Sequence, residues 1–455
     1  MRLIFVGLAI VLAGCQTYQT QPLRPQQVMH DVITDRNSHI EEKRVTFQQA
    51  MAWMSAYNAD LQALKLAYAA LDESSKIATP LPNPSVEAGL LHGTRLDALE
   101  ASRTQPFVGL GFAVPLGRRL SAEDDLRSAQ AEAARVELIA THRKLYLQLR
   151  GTFLQLAMME ERLRLHAGLI EDTRAMRTVT AEAVDQGYGT ALDVGVMDLE
   201  LGQLELAHRE LRWEADSLRH ELAQLIGVKV TWLAALEPMQ TGEIVVPTEE
   251  EIPEILLYHQ SRLAQLRADY EVSERSLRLE IARQYPDLEI GFGGEQEAGE
   301  RARIFELGIG IEIPLFDRNE RGILEARQER LRIQKAYEAA CRQILAEIDS
   351  LRSRRHHAAE NQKTIETRLL PVVEQSLASA RQLLEAGRMD AANFLLIQRQ
   401  QRDLELQRWD ARYARLEAEL ELEAVLGCVL GMPLTEEGST PIPKWNEHVD
   451  DKEQP

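Results

Sequence analysis

Residues 304–313 read Ile-Phe-Glu-Leu-Gly-Ile-Gly-Ile-Glu-Ile. In an extended chain Phe305, Leu307, Ile309, Ile311 and Ile313 share one face, and Glu306, Gly308, Gly310 and Glu312 share the other. A period of two with one face wholly apolar and the other small or acidic predicts a strand with lipid on one side and water on the other. Residues 107–114 repeat the pattern, with Val108, Leu110, Phe112 and Val114 set against Phe107, Gly109, Gly111 and Ala113. Leu288, Ile290 and Phe292 alternate with Glu289, Gly291 and Gly293 in the same way. Four strands are expected, at residues 85–92, 106–114, 287–294 and 304–313. A soluble amphipathic hairpin shares this period; the start of the chain favours the membrane.

Four strands cannot close on themselves, and an open sheet edge in lipid leaves N–H and C=O groups with no partner. Barrels need about eight strands or more, so the chain must share its barrel with copies of itself. Two copies would give a barrel packed solid with side chains, whereas three leave room for a channel. The small and acidic inner positions favour three. In such a trimer Glu289, Glu306 and Glu312 would each ring the lumen, an arrangement that favours cations.

Working outward, the strands belong to a unit written twice. Pro84-Ser85-Val86-Glu87-Ala88-Gly89 aligns with Pro286-Asp287-Leu288-Glu289-Ile290-Gly291 at an offset of 202 residues, and Val114-Pro115-Leu116 with Ile313-Pro314-Leu315 at 199. Gln186-Gly187 aligns with Ala386-Gly387, and Ile226-Gly227 with Leu426-Gly427, both at 200. The copies are placed at 45–227 and 252–427, joined by a linker at 228–251 and followed by a tail at 428–455. Each has a first helix (45–78; 252–283), the strand pair, a very long helix (119–185; 320–385), a Gly turn and a returning helix. The returning helix carries a 3-4-3-4 coiled-coil seam, Leu201, Leu204, His208, Leu211, Ala215, Leu218, Leu222 and Leu225. In the second copy Leu404, Ala411, Ala418 and Val425 keep the phase. Residues 118–186 as one helix would extend about 100 Å, which suits a tunnel wall and not a globule. The fold class expected is mainly α with a small transmembrane β portion.

The chain opens with one positive charge, an apolar run and Leu12-Ala13-Gly14-Cys15. Residues 1–14 read as a secretory leader, too short to span a bilayer. The end resembles a bacterial lipobox, which implies acylation of Cys15 by chains such as palmitate and a lipidated segment over 15–44. Gln16 in place of Asp favours the outer membrane.

Composition agrees. In 455 residues, 52 basic against 71 acidic side chains give a net charge of −19, which argues against nucleic acid as a partner. Charged residues at 27% and aromatics at only 5% suit long wetted helices. Three cysteines exclude a disulfide scaffold. The sequence holds no phosphate loop, nucleophile elbow or paired-His motif, so no enzyme, resident metal or cofactor beyond the lipid is expected. His356 and Glu360 are an exposed helical pair rather than a metal site, and Cys341 and Cys428 read as two buried thiols.

From about residue 45 to 430 the chain resembles the TolC-like outer-membrane efflux proteins. The resemblance rests on the duplication, Asn83-Pro84 before the first hairpin, the Pro115-Leu116 and Pro314-Leu315-Phe316 strand exits, and the Gly turns. It implies a trimeric twelve-stranded barrel in the outer membrane, lipid-anchored and continuing as an α-helical tunnel across the periplasm. It also implies a periplasmic adaptor and an inner-membrane pump, of RND type, docking at the tunnel tip. Gly187-Tyr188-Gly189-Thr190-Ala191-Leu192-Asp193-Val194 looks like the family's tip motif, and Gly387-Arg388-Met389-Asp390-Ala391-Ala392-Asn393-Phe394 takes its place in the second copy. The resemblance thus assigns Gly187, Asp193, Gly387, Asp390 and Asn393 to the gate and docking tip. Phe316-Asp317-Arg318-Asn319 and Leu116-Gly117-Arg118-Arg119 are similar to the heavy-metal branch, so metal cations are slightly favoured over drugs as cargo. The rival readings are a duct for type I protein secretion and a coiled-coil lipoprotein that only tethers envelope layers.

Overall fold

The computed structural model describes residues 18–37, 44–93, 103–187, 190–233, 236–237, 246–296, 303–385, 388–389 and 391–430. An exposed helix α1 (Pro25–Asn37) precedes the first copy. That copy runs α2 (Phe47–Tyr57), α3 (Ala59–Ser75), β1 (Ser85–Gly93), β2 (Arg103–Pro115), α4 (Arg119–Asp185) and α5 (Ala191–Ile226). The second runs α6 (Ile252–His259), α7 (Ser261–Ala282), β3 (Asp287–Gln296), β4 (Arg303–Ile311), α8 (Glu320–Thr364), α9 (Leu370–Glu385) and α10 (Ala391–Leu426).

The strands form one antiparallel sheet in the order β1-β2-β3-β4. The two hairpins join through β2 and β3, where Leu110 faces Phe292 and Gly111 faces Gly291. The four strands fall within three residues of the sequence expectation at every end. β4 stops at Ile311, so Glu312 lies just past the strand rather than within it, because Pro314 ends the ladder.

The first helix of each copy, expected as one piece over 45–78 and 252–283, is two. Asn58 and Gln260 stand at the breaks in extended conformation, and each side chain caps the following helix by accepting from the N–H of Leu61 (2.9 Å) or Leu263 (2.8 Å). The cause is tertiary. Gly227 and Gly427 end the returning helices at φ +89° and +77°, and their Cα atoms press on the break. A Cβ would stand 2.5 Å from the Tyr57 carbonyl oxygen at Gly227 and 2.2 Å from that of His259 at Gly427. Asn58 also donates through Nδ2 to the Leu225 carbonyl at 2.8 Å, tying the two helices together.

The long helices start at matching elbows. Arg118 and Asn319 occupy the left-handed region at φ +60° and +55° and turn the chain from strand exit into helix. Arg119 then pairs with Asp287 at the foot of β3 (2.9 Å), while Asn319 donates to the Glu280 carboxylate (2.7 Å). The helix α4 runs unbroken for 67 residues, as expected. Its twin does not: a π-turn at Ile365–Leu369 separates α8 from α9. Pro371 has no N–H to give the carbonyl of Thr367 and its ring crowds that turn, so the helix widens there. The first copy has Glu171 at the corresponding place and stays regular.

Two cores flank the joints. One gathers Met54, Phe153, Leu156, Leu211, Leu222, Trp232 and Leu233; the other gathers Ile255, Leu263, Ile344, Ile348, Leu422, Leu426 and Cys428. Just past the Gly caps, Val228, Trp232 and Leu233, and likewise Cys428, Val429 and Leu430, are buried where the chain folds back onto the helices. Asn58→Ala removes one cap and one inter-helix bond, and is expected to lower unfolding free energy by about 1–3 kcal/mol, read as a lower urea midpoint.

Candidate functional site

Register settles what each strand residue faces. The row Glu87, Gly109, Gly293, Glu306 runs straight across the sheet, and so does Ala113, Glu289, Gly310. Each glutamate therefore stands beside a glycine, which leaves its carboxylate room to lie along the sheet. Glu87, Glu289 and Glu306 line a concave space of about 970 Å³ together with Gly109, Gly291 and Gly308. Glu87 was missed in the sequence, although the alternation Ser85-Val86-Glu87-Ala88-Gly89 carries it. The opposite face presents Val86, Leu90, Leu307 and Ile309 at 69–74% exposure. Among the described residues β1 and β4 each have one neighbouring strand, so each keeps one edge unpaired there.

At the other end, α4 closes through Gln186 and Gly187 (φ +84°), and Thr190 opens α5. Asp193 Oδ2 accepts from both the Thr190 N–H and its hydroxyl, each at 2.8 Å, and these bonds hold its carboxyl below the ordinary value. Asp193 thus caps its own helix in this structure. Asn393 is exposed in the first turn of α10. Tyr188, Gly189, Gly387 and Asp390 lie outside the described residues, as does Cys15. Arg177 with Asp198 (2.8 Å) and Arg174 with Glu205 (3.1 Å) pin α4 to α5 above the tip. Buried Glu200 of α5 is held by Arg399 (2.7 Å) and Arg402 of α10, which joins the two copies.

A third polar layer is buried midway. Arg150 of α4 pairs with Glu423 of α10, and Arg143 donates to the His259 carbonyl, so the first copy's long helix holds both sides of the second copy's joint. Glu423 is 1% exposed and also accepts from the Leu430 N–H at 3.0 Å. Nothing in the sequence pairs Arg150 with Glu423, which are 273 residues apart. Cys341 and Cys428 are free thiols, and burial pushes Cys428 up to about 12. Among the described residues no cluster of His, Cys, Asp and Glu could hold a metal ion, and no helix is long and apolar enough to cross a membrane.

Residues 252–428 match the outer membrane efflux protein family. The cobalt-zinc-cadmium resistance protein CzcC of Cupriavidus metallidurans is 23% identical over 362 residues, covering 78% of this chain and 83% of that protein. The solved structure of CusC shares the fold at a TM-score of 0.68 with 15% identity, over 91% of this chain and 99% of that one. The outer membrane protein VceC of Vibrio cholerae does so at 0.65 with 13% identity, over 84% and 96%.

Burial pushes the Glu423 carboxyl up from 4.5 to about 7 against the pull of Arg150. A carboxyl whose folded pKa is raised adds stability that is present below pH 4.5 and lost as pH rises through about 7. Melting of the wild type relative to Glu423→Gln should therefore worsen from pH 5 to about pH 7 and level off above it, and parallel curves would contradict it.

Proposed function

We propose that this chain, a member of the outer membrane efflux protein family, is the outer-membrane channel of a tripartite efflux system. It is not an enzyme. It supplies the exit duct, and the energy comes from an inner-membrane pump reached through a periplasmic adaptor. The carrying observation is the four-stranded sheet with its bare apolar face and two open edges, set at one end of helices about 100 Å long. Three copies complete a twelve-stranded barrel, acylated Cys15 anchors each copy in the outer membrane, and the helices reach through the periplasm.

The tip around Gly187, Asp193, Gly387, Asp390 and Asn393 is the docking and gating end, and the pump is of RND type. Metal cations are the favoured cargo. The acidic inner face supports this, since rings of Glu87, Glu289 and Glu306 would draw cations into the lumen. The cobalt, zinc and cadmium in the name of the relative CzcC support it too.

Leu110→Asp with Ile309→Asp separates this reading from an envelope tether. A carboxylate at the lipid-facing midplane costs barrel insertion, so the double variant should disappear from the outer-membrane fraction as an assembled oligomer. Retention of wild-type oligomer there would contradict the barrel and favour a tether that never enters lipid.

A further inference from the structure

The buried seam of α5 carries an imidazole. His208 stands between Leu204 and Leu211, both buried. Across from it α4 brings His166, which is 4% exposed. The hairpin sets the two at equal depth, since His166 lies 21 residues before Gly187 and His208 lies 21 after it. Neither Nδ1 has a hydrogen-bond partner among the described residues.

The surroundings of His166 are cationic. Arg162 stands one turn along α4 with its guanidinium 4.3 Å from the centroid of the Trp409 ring, and Arg402 reaches in from α10. The carboxylates of this layer are already engaged, Asp410 of α10 with Arg162 (3.4 Å) and Glu200 of α5 with Arg399 and Arg402. The charged and titratable groups acting on His166 are thus Arg162 from its own helix, His208 from α5, and Arg402 and Asp410 from α10. Burial first, and then Arg162, His208 and Arg402, hold its imidazole below the ordinary 6.5, with Asp410 pulling the other way. A charge gained at this place is desolvated and set among guanidinium groups.

We propose that His166 and His208 form an acid-sensitive latch. At neutral pH the uncharged pair packs α4 against α5 and α10; a proton taken from solvent by His166 loosens the three helices from one another in the tip half. The inference goes beyond the duct reading and stands on this chain's own packing. Groups nearer the turn do not share the response. Arg177 holds the Asp198 carboxyl below its ordinary value, and the Thr190 N–H and hydroxyl do the same for Asp193, so both keep their charge where His166 gains one. An imidazole depressed by folding contributes stability that is complete above pH 6.5 and lost as pH falls below it.

The test is amide hydrogen exchange of the full-length protein in detergent between pH 7.5 and 5.5, corrected for the intrinsic pH dependence of exchange. In the wild type, peptides covering residues 160–170 and 203–211 should open several-fold more, up to about tenfold, for each pH unit below 6.5. His166→Gln should remove that dependence. An equal rise in His166→Gln, or a wild type unchanged over the range, would overturn the proposal. Should His166→Gln fail to fold, exchange at the imidazole C2 of the wild type reads His166 directly. A midpoint below 6.5 that coincides with the loosening is expected. A midpoint at or above 6.5, or loosening that follows a different midpoint, would overturn the latch.

Discussion

An unpaired backbone group in hydrocarbon has no water to turn to, and the whole molecule answers to that constraint. The sheet ends in open edges at β1 and β4, and its outward face is apolar from Val86 to Ile311. Such a sheet is unsuitable both for water, which the apolar face rejects, and for lipid, which the edges reject. Closure with copies of itself, as proposed above, would remove both objections. In that reading the helices beneath follow from the same closure, as a wall built around a shared axis.

Duplication supplies the geometry, and departures from it supply the asymmetry. Both repeats use the same elbow, with Arg118 and Asn319 in the left-handed region, and the same joint, with Gly227 and Gly427 pressed on a helix break. The joints are held differently. The first is tied by the Asn58 side chain to the Leu225 carbonyl; the second is held by Arg143 and by the Arg150–Glu423 pair reaching over from the first repeat. Only the second long helix carries a proline and the π-turn it provokes. The buried ion pair is costly to desolvate, so its value lies more in fixing how the repeats interleave than in net stability.

The sequence told most where a short period repeats. Alternation of two placed the strands, and because register preserves alternation, it also placed Glu289 and Glu306 on one face of the sheet, opposite Leu307 and Ile309. The 3-4-3-4 seam of α5 was legible for the same reason, with Leu204, Leu211, Ala215 and Leu222 buried. What escaped is decided by distant partners. The breaks at Asn58 and Gln260 sit inside helical patterns and exist because a glycine some 170 residues away leans on them. The pairs Arg150–Glu423 and Glu200–Arg402 join repeats that no local spacing connects. Asp193 was readable either as a gate or as a cap, and here both Thr190 donors engage it as a cap. The π-turn had a local signal in Pro371, whose missing N–H and bulky ring disrupt the helix one turn earlier.

Closure by identical copies is the central claim, and mass combined with conductance tests it most directly. The detergent-solubilised protein should have a native mass of three chains and should open discrete conducting steps when reconstituted into a planar bilayer. A single-chain mass with a bilayer that stays silent would contradict it.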